Sequence, residues 1–117
     1  MTGFRLGIDY GSSNTVAMVE APDGRVRTLL FDGLPLLPSA VFADPGGLLL
    51  VGRDADRGSR IDPARYEPNP KRRIDDGDVL LGDTAYPVSV LIGAILRRVA
   101  DEAVRVCGGP MDETILT

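Results

Sequence analysis

The chain has 117 residues, of which 44% are apolar and 26% charged, with a net charge of −4. That balance fits one globular domain, or part of one, and excludes a disordered tail. No apolar run approaches the ~20 residues needed to span a bilayer, and residues 1–5 lack the apolar stretch of a secretory signal. There is no histidine, one cysteine (Cys107) and no tryptophan. A His-dependent nucleophile is therefore excluded, a zinc site is disfavoured, and no disulfide can form within the chain. The expected compartment is a reducing cytoplasm. With no basic stripe and no aromatic platform, neither nucleic acid nor membrane is an expected partner.

In chain order, residues 4–9 alternate apolar with small or polar side chains and predict a first strand. Residues 15–20 are β-branched and apolar, and residues 25–30 return after the turn Ala21-Pro22-Asp23-Gly24. Connections this short join antiparallel neighbours, so a three-stranded meander is expected over residues 4–30. A loop is read from Asp32 to Pro38, then a hairpin of strands 39–43 and 48–51 about Asp44-Pro45-Gly46-Gly47. The polar stretch 52–78 is expected to hold a short helix and irregular loops, followed by short strands around Gly82-Asp83. One long helix is predicted over 88–107, because Val88, Leu91, Ile92, Ile95, Leu96, Val99, Ala103 and Val106 form a single stripe. Arg97, Arg98, Asp101, Glu102 and Arg105 fall largely on its other face, and Gly108-Gly109-Pro110 stops it. Residues 113–117 have strand character, and a strand after a helix is expected to pair in parallel.

The segment with the most chemistry is Gly7-Ile8-Asp9-Tyr10-Gly11-Ser12-Ser13-Asn14-Thr15, at the first predicted hairpin. Gly11 allows the tight turn. Ser12 and Ser13 bring hydroxyls and successive N–H groups that can wrap an anion, and the Asp9 carboxylate suits a magnesium ion bound through water. The same residues equally describe an ordinary hairpin whose serines satisfy turn backbone. Neither a Walker loop nor a Gly-x-Gly-x-x-Gly turn is present. Lys71 is the sole lysine among thirteen basic residues and lies in the stiff stretch Glu67-Pro68-Asn69-Pro70-Lys71-Arg72-Arg73-Ile74. Its ammonium is suited to offset charge on a γ-phosphate, and the run Lys71-Arg72-Arg73 is also what a solvated basic face looks like.

Taken together, the pieces resemble the N-terminal end of the 70-kDa heat-shock chaperones, the DnaK-like members of the actin-like ATPase superfamily. The hairpin segment is similar to the family's Gly-Ile-Asp-Leu-Gly-Thr-Thr-Asn-Ser, and Pro38-Ser39-Ala40-Val41 to its Thr-Pro-Ser-x-Val/Ile. Leu50-Val51-Gly52-Arg53-Asp54-Ala55 resembles Leu-Val-Gly-x-x-Ala, and Lys71-Arg72-Arg73-Ile74 stands where the family has Lys-Arg-Leu-Ile. Sugar kinases and actin-like filament proteins of the superfamily share the first motif but not the next three. They, or a non-catalytic interaction module on the same fold, are the alternative reading.

The resemblance implies an α/β fold: a ribonuclease-H-like, actin-like ATPase lobe whose mixed sheet begins with the meander. Residues 1–37 and about 87–117 would form its core sheet and long helix, and about 38–86 a small inserted α+β subdomain. It implies ATP and magnesium as cofactors. Asp9 would position magnesium through water, Gly11, Ser12, Ser13 and Asn14 would bind the phosphates, and Lys71 would be needed for γ-phosphate hydrolysis. Unfolded polypeptide clients and co-chaperones are the implied partners. Family members run to several hundred residues, so this chain is expected to be the start of one lobe, without turnover of its own. Uncovered apolar surface is expected to make it self-associate, as a homodimer.

Overall fold

The computed structural model describes residues 3–117. It is a mixed α/β structure with two main sheets, a separate β-hairpin and two α-helices. Strand β1 (Arg5–Tyr10) turns inward Leu6, Ile8 and Tyr10, and β2 (Asn14–Glu20) turns inward Thr15, Ala17 and Val19. This is the period of two that a half-buried strand requires. The two pair antiparallel from Arg5 opposite Glu20 to Tyr10 opposite Thr15. The far edge of β2 is divided between two partners. Strand β3 (Val26–Thr28) takes residues 18–20, and β4 (Leu37–Pro38) takes Asn14 and Thr15.

Strand β3 is shorter than the six residues the sequence suggests, and β4 lies in a stretch expected to be loop. A strand containing a proline fits only an edge, and that is where β4 sits. The second sheet is β6–β5–β7, with β5 (Val41–Ala43) between β6 (Leu49–Val51) and β7 (Tyr66–Glu67). Two residues, Ser39 and Ala40, therefore separate pairing in one sheet from pairing in the other.

Helix α1 (Gly52–Ile61) follows β6 without a loop. Gly52 makes that junction: its φ is +63°, and a β-carbon there would lie 2.5 Å from Leu37 Cδ1. A 3-10 turn (Pro63–Arg65), β7, and a longer 3-10 segment (Pro70–Asp76) lead to the hairpin of β8 (Asp78–Leu81) and β9 (Thr84–Pro87). Helix α2 (Val88–Cys107) matches its predicted span and ends on Gly108 in the left-handed conformation. Strand β10 (Glu113–Leu116) then pairs in parallel with β1, as expected for a strand after a helix.

The α2 stripe of Val88, Leu91, Ile95, Val99 and Ala103 shares one core with Leu6, Ile8, Val19, Leu29 and Phe31. Val41, Ala43, Val79 and Leu81 from the middle of the chain join it. A smaller cluster of Ala40, Phe42 and Ala55 holds α1 on β5. Glu102 corrects the sequence reading of α2: it is buried, because Arg98 and Arg105, one turn away on either side, close over its carboxylate. The opposite face of the large sheet is open and leaves Met18, Val26 and Ile115 about half exposed. No helix among the described residues is long and apolar enough to cross a membrane.

Candidate functional site

The hairpin joining β1 to β2 is closed by its own backbone. The Gly11 N–H donates to the Asn14 carbonyl at 3.0 Å. A β-carbon on Gly11 would stand 2.5 Å from that same oxygen, so only glycine allows the strands to approach this closely. Ser12 is partly exposed, and Ser13 and Asn14 are exposed. Among the described residues, neither the hydroxyls nor the N–H groups of Ser12 and Ser13 find an acceptor, whereas both of their carbonyls are used. The turn thus offers two hydroxyls and consecutive amides outward while its acceptors are bound back into the protein. That polarity suits an anion.

The carbonyl of Ser13 accepts from the Ser39 N–H at 2.9 Å, and the Gly11 carbonyl from the Ser39 hydroxyl at 2.8 Å. With its single proton spent on Gly11, Ser39 Oγ accepts from the Thr15 hydroxyl at 2.9 Å. Thr15 and Ser39 are both fully buried. Sequence reasoning assigned neither a role. The only available signal was that Ser39 belongs to the second resembling motif and Thr15 ends the first.

Lys71 arrives from the other side. Its Nζ donates to the Tyr10 carbonyl at 2.7 Å and stands 5.3 Å from the centre of the Tyr10 ring. The stretch carrying it is braced at several points. Pro70 is buried, and the buried Glu67 carboxylate accepts from the Asn69 N–H at 2.8 Å and from Arg73 at 3.0 Å. Arg73 is also paired with Asp76, and its partners push its guanidinium pKa up, the Asp76 hydrogen bond foremost. With its side-chain oxygen and nitrogen exchanged, the assignment its neighbours require, the Asn69 amide donates to the Ser12 carbonyl at 2.7 Å and to Pro68 O at 3.2 Å. Lys71 is therefore docked on the hairpin, and of the run Lys71-Arg72-Arg73 only Arg72 has no side-chain partner among the described residues.

Asp9 precedes Tyr10 and points to the open face of the sheet. There it borders a hollow with Gly7, Val16, Met18, Ile115 and Thr117. The structure thus brings Asp9, Gly11, Ser12, Ser13, Asn14 and Lys71 to one end of β1. Among the described residues, no group of three or more acidic, His or Cys side chains converges as a metal cage. A single carboxylate beside hydroxyls and amides fits a hard cation that keeps its waters and is carried in with phosphate oxygens.

Comparison with known proteins bears on this geometry. The chaperone protein DnaK of Thermotoga maritima is 30% identical over 116 residues, which covers 97% of this chain. The chain is DnaK-like along almost its whole length. DnaK of Thermotoga neapolitana is likewise 30% identical over 116 residues, and that of Thermosipho melanesiensis 28% identical over 114. The DnaK-like chain spans about a fifth of the length of these curated relatives. No family model matches it.

Proposed function

We propose that this chain is the first part of the nucleotide-binding lobe of a cytoplasmic, DnaK-like chaperone ATPase, with an actin-like fold. The observation that carries the reading is the docking of Lys71 on the carbonyl end of β1, next to the Gly11 turn. Similarity to DnaK over 97% of the chain supports it.

In this reading the N–H groups and hydroxyls of Ser12 and Ser13 bind the β- and γ-phosphates of ATP. The closed turn, fixed by Gly11 and Asn14, holds those donors in place before the ligand arrives. Asp9 orients the water shell of magnesium, and that ion, when bound, neutralises charge building on the phosphate oxygens. The Lys71 ammonium faces the γ-phosphate and stabilises the charge that develops as water attacks. Adenosine recognition and client binding belong to the longer protein.

In the protein at its full genomic length, Lys71→Ala is expected to lower ATP turnover by about a hundredfold while nucleotide binding persists. Turnover at the parental rate would remove Lys71 from the mechanism. The 117-residue chain alone is expected to show no turnover and no micromolar ATP binding by calorimetry.

A further inference from the structure

Tyr10 combines two facts that point in opposite directions. Its hydroxyl is buried and has no hydrogen-bond partner among the described residues. A buried hydroxyl without a partner is a cost to folding. Burial also pushes the phenol pKa up. Its ring, in contrast, carries the only lysine ammonium in the chain over its face, 5.3 Å from the centroid. A cation over an aromatic face is a gain. What Tyr10 contributes is therefore the π face. The heat-shock motif quoted above has leucine at this place, which offers none.

We propose that Tyr10 is a positioning residue whose ring seats the Lys71 ammonium at the end of β1 and so fixes where that charge meets the phosphate chain. The proposal rests on the phosphate-site reading above. Asn69 and Glu67 anchor the backbone that carries the lysine. They leave the four-carbon stem free, and among the described residues the tip has only the Tyr10 carbonyl and ring to hold it. The carbonyl survives any substitution at this position, whereas the ring does not. Phenylalanine keeps the seat and removes the unpartnered hydroxyl. Leucine removes the seat.

Because the chain has one lysine, lysine-selective 13C labelling yields a single ε-methylene signal. In the parental chain and in Tyr10→Phe, the ring current is expected to move the Hε resonances upfield. In Tyr10→Leu they are expected to return to the position of free lysine while the β1–β2 amide signals remain dispersed. At full genomic length, Tyr10→Leu is expected to lower kcat for ATP about three-fold with little change in KM, and Tyr10→Phe to restore it. Unshifted Hε resonances in the parental chain overturn the seat, whatever the leucine variant does. Shifted resonances with unchanged turnover in Tyr10→Leu overturn the positioning role. If the resonances are shifted but Lys71→Ala hydrolyses ATP normally, the phosphate-site reading falls and takes Tyr10's part in turnover with it, while the seat itself stands.

Discussion

The Ser39 hydroxyl donates to the Gly11 carbonyl at 2.8 Å, joining two residues 28 positions apart. Through that bond and the one to Thr15, the stretch entering the second sheet is fastened to the hairpin. Ser39→Ala leaves the part-buried Gly11 carbonyl and the fully buried Thr15 hydroxyl without this partner. The expected loss is about 1–3 kcal/mol, the cost of stranding buried polar groups. Urea unfolding of the two chains measures it, and an equal midpoint would mean that water replaces the serine.

Gly11→Ala tests the turn itself. The added methyl would lie 2.5 Å from the Asn14 carbonyl oxygen, and that oxygen is backbone, so the hairpin must open to admit it. A loss of about 1–3 kcal/mol is expected, as for other overpacked sites. The sharper signature is local. Exchange of the Gly11-position amide, slow while it is bonded to Asn14, should accelerate far more than that of core amides such as Val19.

Acid should weaken the far end of α2. Glu102 is buried and accepts from Arg98 at 2.9 Å and from Arg105 at 2.9 Å. The Arg105 hydrogen bond, with help from Arg98 and against the effect of burial, holds its carboxyl below the ordinary glutamate value of 4.5. A carboxylate depressed in the folded state stabilises fully above that ordinary value. The contribution declines as pH falls through 4.5 toward the lower folded value. Glu102→Gln should cost about 1–2 kcal/mol at neutral pH, since it exchanges charged for neutral hydrogen bonds. It should also flatten the acid limb. Thermal melts of both chains between neutral pH and pH 3 compare the two slopes, and parallel slopes would assign the acid sensitivity to other carboxylates.

Much of this was legible in the chain because it is local. The α2 stripe repeats without interruption, and Gly108-Gly109-Pro110 ends it, so span and buried face could both be read. The turns at residues 21–24 and 44–47 announced two of the antiparallel pairings. What stayed hidden depends on partners distant in sequence. Strand β4 contains a proline and only two paired residues, and nothing near it says that β2 has a vacant edge. Glu102 looks like a solvent residue until two arginines fold over it. At the hairpin, Gly11, Ser12 and Ser13 stood out by residue type. Ser39 and Asn69 did not, because their work is to bond carbonyls 28 and 57 positions away, respectively.

The two-residue span between β4 and β5 has a mechanical consequence. A link that short contains no slack, so a tilt of the small sheet against the large one cannot be absorbed in a flexible joint. It is delivered to Ser39, which grips the hairpin through its amide and its hydroxyl. The serine therefore ties the start of the small sheet directly to the Ser12–Ser13 bend.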